Sequence, residues 1–212
     1  MSVAFGVAGC QGGWPVLSEL GLSAQSPYSA MTQGECISAF VRAWMLTEDR
    51  GFADGARKAF NILRTPVDEG GPAVFEGKCL FLEEIPSVPR SSILNGWIFA
   101  LFGLYDFSLT FDDETARNLL ELSLDTLKEH LQDYDTGYWS RYDRLGNLAS
   151  PFYHDLHIHQ LTALSMIHHD PIFVQFRDRF TRYRQSLMKR SKALGIKALQ
   201  KLRKPAEVIV IK

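Results

Sequence analysis

Polar side chains that could do chemistry cluster between Tyr142 and Leu161, a stretch flanked by apolar helical patterns. Three histidines in it could bind a metal ion, pack in a core with hydrogen-bonded ring nitrogens, or line a substrate cup. On a helix, residues i and i+3 share a face while i+5 lies on the other side, so His159 cannot join His154 and His157. We therefore predict no metal site at these residues.

The two tyrosines of the cluster, Tyr142 and Tyr153, both fall outside the apolar helical patterns, on segments expected at the rim of the fold. An isolated phenol has a pKa near ~10. It is a poor base at neutral pH unless cationic or hydrogen-bonding neighbours stabilise the phenolate. Arg141, Arg144 and His154 are the neighbours that could do this. Packing of each ring with its hydroxyl hydrogen-bonded is the alternative.

Two further sites combine polar groups with β-like or helical context. Glu83 and Glu84 end a β-like run, and because adjacent side chains on a strand point to opposite faces, only one carboxylate should enter a site. Asn95 precedes Gly96 at the start of an apolar helix. A buried asparagine needs hydrogen-bond partners, which a packed helix or a ligand could equally supply.

Three pairs of helical segments, each joined by a short acidic turn, must position these residues. The pairs are 28–46 with 52–63, 93–109 with 114–131, and 156–167 with 172–187. The segments 67–86 and 134–151 between pairs are rich in Gly, Pro, Asp and aromatics, with two β-like runs around Gly77. The predicted fold is mainly α: an incomplete α/α toroid of helical hairpins with short β-hairpins at one rim.

Composition and charge predict one domain over residues 1–187 and a basic tail over 188–212. With 46% hydrophobic residues, the 212-residue chain can bury a sizeable core. From Arg177 onward there are 12 basic and 2 acidic residues, and before it 11 basic and 22 acidic. The tail could be a polar helix through residue 204 followed by a strand at 208–211. Without a nucleic-acid-binding motif, a solvated helix or contact with an anionic surface or partner domain is favoured over nucleic-acid binding.

Cysteine usage and hydropathy bear on the compartment. The three cysteines, Cys10, Cys36 and Cys79, lie far apart and without a paired spacing, so we expect buried thiols. No apolar run reaches the roughly 18 to 20 residues of a membrane span, and no basic region precedes the first apolar residues. We expect a cytoplasmic protein if the source is bacterial.

An ordered set of short segments resembles the C-terminal domain of D-glucuronyl C5-epimerase, an enzyme that acts on heparosan in heparan sulfate synthesis. The segments run from about residue 14 to 183 and include PYSAMTQG at 27–34, LTED at 46–49, EEIP at 83–86, LNG at 94–96, GLYD at 103–106, YDTG at 134–137 and HIHQL at 157–161. In that family the C-terminal domain is an α/α toroid. Three positions depart from the family pattern, namely Ile85, Leu145 and His159.

The resemblance implies which residues act. The family's catalytic tyrosine falls on Tyr153, its second tyrosine on Tyr142 and its glutamate on Glu84. We assign the binding of substrate carboxylate and hydroxyl groups to His154, Arg144, Asn95, His157 and Tyr28. No cofactor is required.

The implied function is a polysaccharide epimerase that inverts C5 of D-glucuronate to L-iduronate by proton removal and return. The substrate would be heparosan-like or an exopolysaccharide. A uronate lyase and a non-catalytic carbohydrate-binding domain are the alternatives. Full-length family members carry β-rich domains ahead of the toroid, so either a partner supplies them, the sequence is a fragment, or the chain is a reduced member of the family. A β-rich domain, or a second copy of the chain in a homodimer, is the partner that the resemblance implies. A Golgi location is expected only for animal members.

Overall fold

The computed structural model describes residues 13–22 and 24–203, and this part of the chain is mainly helical with one two-stranded sheet. In chain order the elements are α1 (Val16–Glu19), α2 (Ala30–Thr47), α3 (Arg50–Leu63), β1 (Ala73–Glu76), β2 (Cys79–Leu82), α4 (Leu94–Phe111), α5 (Glu114–His130), α6 (Pro151–Ile167), α7 (Pro171–Gln185) and α8 (Leu187–Arg203). Among these residues, no helix is long and apolar enough to cross a bilayer.

Three helical hairpins form the body of the protein. Helix α2 packs against α3, α4 against α5, and α6 against α7, while α4 also contacts both α2 and α6. The mainly helical prediction and its three helix pairs are therefore confirmed. Helix α4 is central, and the Trp97 indole is fully buried in the core, where it donates a 2.8 Å hydrogen bond to the Ser123 hydroxyl.

The acidic turns between paired helices are capping structures. Each second helix begins after an aspartate whose side chain accepts a backbone N–H bond: Asp49 from Gly51, Asp113 from Ala116 and Asp170 from Ile172. Such a cap contributes about 1 kcal/mol. In each of the first two turns the residue before the cap has a left-handed backbone conformation; these residues are Glu48 and Asp112. The repeated acidic signal in the sequence thus marks where one helix ends and the next begins.

Helices α2 and α4 cross with their backbones in contact. A Cβ atom on Gly34 would lie 2.6 Å from the Ala100 Cα, and one on Gly103 would lie 2.5 Å from the Gly34 Cα. Only glycine permits an approach this close. The crossing brings the face of α2 that carries Glu35 next to α4.

The β-like runs around Gly77 form an antiparallel hairpin, with Ala73 opposite Leu82 and Glu76 opposite Cys79. One prediction was wrong: α6 begins at Pro151, five residues before the predicted start, so Tyr153 lies on its first turn and not on a loop. The Ser150 hydroxyl caps this turn, and Pro151 occupies the favoured first helical position. The start was predicted too late because the apolar residues with helical spacing begin only after the polar first turn of α6.

The described part of the basic tail, through residue 203, is helical as predicted, and α8 packs against α7 and against the loop that precedes α6. The Gln200 side-chain oxygen accepts a 3.1 Å bond from the Leu148 N–H, and the Lys197 ammonium donates to the Leu148 carbonyl. The strand predicted at 208–211 lies outside the described residues. The domain boundary at residue 187 stays a prediction.

Candidate functional site

Tyr142 and Tyr153 lie side by side, with ring centroids 4.7 Å apart. Tyr142 is held by its backbone: its N–H donates to the Asn147 carbonyl at 2.7 Å, and its carbonyl accepts from the Leu94 N–H at 3.1 Å. The second bond fixes the tyrosine loop on the first turn of α4. Tyr153 comes from the first turn of α6, so the capped start of that helix sets its position.

Glu84 follows β2 and packs against the start of α4. A Cβ atom on Gly96 would lie 2.2 Å from the Glu84 Oε2 atom, so the carboxyl occupies the space that a side chain would fill. Gly96 thus makes room for a carboxyl at the start of this apolar helix. The Glu84 Oε2 atom is buried and has no hydrogen-bond partner among the described residues.

Glu83 is turned to different partners. Its carboxylate accepts bonds from the Ser92 N–H at 2.9 Å and the Ser92 hydroxyl at 2.6 Å. The Tyr134 hydroxyl in turn donates to the Ser92 carbonyl at 2.6 Å. Burial raises the pKa of Glu83, and the bonds from Ser92 oppose that rise. Glu83 therefore anchors the loop before α4 and leaves Glu84 as the carboxyl with free hydrogen-bonding capacity.

The pKa values of Glu84 and Tyr142 are both raised, with different consequences for their protonation at neutral pH. Burial, reinforced by the charges of Glu35 and Glu83, raises the pKa of Glu84 to about 7. Burial and the nearby Glu84 charge raise the pKa of Tyr142 above its ordinary value, with a further contribution from Tyr153. At neutral pH Glu84 is thus poised between its two protonation states, while Tyr142 keeps its hydroxyl proton.

The histidines behave as their spacing predicts. His154 and His157 are fully buried, whereas His159 is exposed. The Ser140 hydroxyl lies 2.7 Å from the His154 Nδ1 atom and 2.9 Å from the His157 Nδ1 atom. The His154 Nε2 atom is 3.1 Å from the Phe180 carbonyl, and its ring stacks on Trp139 at 3.7 Å. Burial lowers the pKa of His154 to about 4 and that of His157 to about 3, so both rings are neutral.

His154 has both ring nitrogens engaged, which favours a structural role for it. The opposite holds for His157, whose Nε2 atom is buried without a partner among the described residues. Tyr153, His157 and Gln160 follow each other at i, i+4 and i+7, so they share one face of α6. This face carries a hydroxyl, a ring nitrogen and an amide, of which the amide contacts α4.

Asn95 meets that face from α4. The Gln160 amide donates a 2.9 Å bond to the Asn95 backbone carbonyl. Both side-chain oxygens, Asn95 Oδ1 and Gln160 Oε1, are buried without a partner within the described part of the chain. An unsatisfied buried polar group costs about 1–3 kcal/mol. The Glu84 Oε2 and His157 Nε2 atoms are likewise buried without such a partner, and we call these four atoms of Glu84, Asn95, His157 and Gln160 the unpaired cluster.

The other two predicted binding residues are engaged elsewhere. Arg144 pairs with Asp133 at 3.1 Å, and its guanidinium lies 5.4 Å from the centre of the Phe81 ring. Tyr28 packs beside Gly13, whose Cβ would lie 3.0 Å from the tyrosine ring. The structure therefore places Tyr142 beside Tyr153 and near Glu84, a member of the unpaired cluster. The substrate-binding roles of Arg144 and Tyr28 stay predictions.

Sequence reasoning missed Glu35. It lines a cavity of about 460 Å³ with Ser38 and Arg42 of α2, Phe99, Phe102, Tyr105 and Asp106 of α4, and Ala163 and Ile167 of α6. Arg42 pairs with Asp106 at 2.6 Å in the wall of this cavity. Glu35, Ser38 and Arg42 are polar residues at i, i+3 and i+7, a spacing that predicts one polar face of α2. The charge of Glu35 links this aromatic cavity electrostatically to Glu84.

Comparison with known proteins identifies the chain's relatives. The family described as "D-glucuronyl C5-epimerase C-terminus" matches residues 11–182. The chain is 32% identical to D-glucuronyl C5-epimerase of Caenorhabditis elegans over 82% of its own length and 32% of that enzyme. It is 29% identical to an uncharacterized protein of Methanocaldococcus jannaschii over 69% of its own length and 49% of that protein. The chain thus spans a third to a half of these relatives. It belongs to the D-glucuronyl C5-epimerase C-terminal domain family.

Proposed function

We propose that this chain acts on D-glucuronate residues of a polysaccharide and inverts them at C5. The observation that carries the proposal is the unpaired cluster, which includes the Glu84 carboxyl, together with the neighbouring Tyr142 and Tyr153. A buried group of polar atoms without partners is costly to the fold, and such groups concentrate where a ligand supplies the missing bonds. The family supports an epimerase-type reaction as the chemistry done there.

Inversion at C5 needs one group to remove a proton and another to return one on the opposite face. In the proposed reaction the Glu84 carboxylate takes the C5 proton, and the electron pair of the C–H bond moves into the substrate carboxylate as an enediolate. The Tyr153 hydroxyl then donates its proton to the other face of C5. Exchange with solvent resets both groups, leaving Glu84 ionised and Tyr153 protonated.

Glu84 suits the base role because its pKa of about 7 balances the ionised fraction against basicity. Tyr142 suits a supporting role because its raised pKa keeps its hydroxyl protonated as a hydrogen-bond donor. Pointed at the enediolate, such a donor would stabilise the charge that develops in the transition state. Asn95 and His157 would hold substrate hydroxyl groups.

The cavity between α2, α4 and α6 supports a proposal for where the rest of the polymer binds. Its aromatic side chains, Phe99, Phe102 and Tyr105, offer apolar surface for sugar rings, and the Arg42–Asp106 pair offers polar partners at the same wall. We propose that neighbouring sugars of the polymer bind there, within an incomplete α/α toroid. A β-rich domain or a second copy would complete the cleft.

Heavy water distinguishes the possible reactions. The purified chain is incubated in D₂O with a glucuronate polymer, which is then analysed for deuterium at C5 and for iduronate. Deuterium at C5 together with iduronate is the expected result, and Glu84→Gln is the control expected to show neither.

Two outcomes contradict the proposal. An unsaturated product absorbing in the ultraviolet would indicate a lyase, because the same carbanion can expel the C4 substituent. Polymer binding without deuterium incorporation would indicate a carbohydrate-binding domain. Binding is measured separately by calorimetry, so that a lack of turnover is not confused with a lack of substrate.

A further inference from the structure

A second group of side chains with metal-binding chemistry lies where the hairpin meets α5. Cys79 is the first residue of β2, and Glu129 and His130 are the last two residues of α5. One potential ligand atom from each lies within 4.8 Å of the other two. The Cys79 Sγ atom and the Glu129 Oε2 atom are 3.9 Å apart.

Packing of β2 on α5 fixes this meeting point. The Leu80 N–H donates a 2.8 Å bond to the Thr126 hydroxyl, and the Ser123 hydroxyl donates a 3.1 Å bond to the Leu80 carbonyl. Thr126 and His130 are one helical turn apart, so Cys79, the residue before Leu80, lies beside the end of α5. The sequence positions of the three side chains differ by up to 51, and only the fold brings them together.

The His130 ring is held in one orientation. Its Nδ1 atom lies 3.1 Å from the Asp133 Oδ2 atom, and its ring centre lies 5.2 Å from that of Phe81. A carboxylate bonded to a histidine ring is the usual support of a metal-binding histidine, since it fixes the tautomer and the ring direction. Asp133 therefore provides an observation separate from the cluster itself.

Distances and ligand types favour zinc. With bonds of about 2.3 Å to sulfur and about 2.0 Å to oxygen, tetrahedral zinc places those two ligand atoms about 3.5 Å apart. The observed 3.9 Å is within a small side-chain rotation of that value, and Glu129 is exposed and free to make it. A thiolate and an imidazole select zinc over magnesium or calcium, which prefer oxygen ligands.

We propose that Cys79, Glu129 and His130 bind one zinc ion, with a water molecule in the fourth position. The site is separate from the histidines of α6, where no metal was predicted. Cys79 is not the fully buried thiol predicted from the sequence: it is half-buried and lies beside these two ligands. Zinc here would hold the hairpin against α5. Its ligand Cys79 lies five residues before Glu84 in the sequence.

A single-cysteine protein tests the proposal. In Cys10→Ser/Cys36→Ser, Cys79 is the only thiol of the chain. Cys36 is a poor competitor in any case, since burial raises the pKa of its thiol to about 11. The apo protein, kept reduced without added thiols, is titrated with Co²⁺ and then with Zn²⁺.

We expect a thiolate-to-cobalt charge-transfer band that saturates at one Co²⁺ per chain and disappears when Zn²⁺ is added. Zinc should also raise the melting temperature. Adding Cys79→Ser should abolish the band, and His130→Gln should weaken zinc binding by more than about 100-fold, since even a supporting residue contributes 10–100-fold. The matched control is His159→Gln, which changes an exposed histidine on α6 and should leave binding unchanged.

Absence of the band in the folded single-cysteine protein would overturn the proposal. Zinc affinity unchanged by Cys79→Ser or His130→Gln would overturn it as well. Circular dichroism establishes that each variant is folded before titration. The measurement does not involve a polysaccharide, so its result is independent of the proposed epimerase activity.

Discussion

Gly96→Ala should abolish or greatly reduce C5 exchange while leaving the protein folded. The added methyl would lie 2.2 Å from Glu84 Oε2 and 2.7 Å from Glu84 Cβ. Ordinary carbon–carbon contacts are about 3.5–4.0 Å. Rotation of the carboxyl cannot relieve the Cβ contact, because the backbone fixes that atom. The residue must therefore move by about 1 Å relative to α4, a misplacement that costs on the order of 10²-fold in rate.

The stability cost of the same change is modest. Overpacking typically costs about 1–3 kcal/mol, and the higher helix propensity of alanine offsets up to about 1 kcal/mol of it. For a chain of this size each kcal/mol lowers the melting temperature by roughly 2–4 °C. Deuterium incorporation at C5 and thermal unfolding, measured on the same preparation, separate the two effects.

Gly195→Ala is the matched control. Gly195 lies within α8, and a Cβ atom there would meet nothing within 4 Å. This variant should gain about 0.5–1 kcal/mol in unfolding free energy and keep the wild-type exchange rate. If Gly96→Ala also exchanged at the wild-type rate, the position of Glu84 against α4 would be irrelevant to the reaction, and its role as base would be untenable.

Three further predictions concern the same groups. Tyr153→Phe should lower exchange by about 10²–10⁴-fold with an unchanged melting temperature; wild-type exchange in this variant would remove Tyr153 from the reaction. Glu35→Gln removes a charge that raises the pKa of Glu84, so the rising limb of the pH–rate profile should move to lower pH, and an unmoved limb would contradict the coupling. Because the folded-state pKa of Glu84 is raised from 4.5 to about 7, the stability it contributes is present below pH 4.5 and is lost as pH rises to 7. Glu84→Gln should therefore be more stable than wild type above pH 7, by up to about 3 kcal/mol in urea unfolding; parallel stability–pH curves would contradict this. The lowered pKa of His154 has the opposite effect on the free energy of unfolding. The stability that the neutral ring contributes is lost as pH falls from 6.5 toward 4.

Local signals predicted most of the helical frame. The acidic residues between paired helices are N-caps, and the apolar periods gave α2 to α5 within a few residues of their observed ends. The start of α6 was placed too late because the helix begins on a polar turn, where the periodic signal is absent. Ser150 followed by Pro151 is the capping signal that locates it.

Relations between distant segments could not be predicted in this way. The effect of Glu35 on Glu84 depends on the close crossing of α2 and α4, and the meeting of Cys79 with His130 depends on how β2 packs on α5. Ser140 has no distinguishing neighbours in the sequence, yet its hydroxyl lies between two buried histidines. Spacing along the chain predicts which residues share a helix face, but not what that face contacts.

The hydrogen bonds through Ser140 have a consequence for ligand choice. The His154 Nε2–H donates to the Phe180 carbonyl, so Nδ1 of that ring accepts the Ser140 hydroxyl proton. The Ser140 oxygen then accepts from the His157 Nδ1–H, which leaves the His157 Nε2 atom as a lone-pair acceptor. Gln160 Oε1 and ionised Glu84 are acceptors too.

The acceptor role of His157 Nε2 is therefore set by the Phe180 carbonyl on α7. These acceptor atoms are satisfied only by hydrogen-bond donors, which free sugar hydroxyl groups would bring under the proposed function. A sulfate ester in place of such a hydroxyl would present acceptor oxygens and a negative charge to the same atoms. Under the proposed function, the buried serine would select for unmodified hydroxyl groups at this position of the substrate.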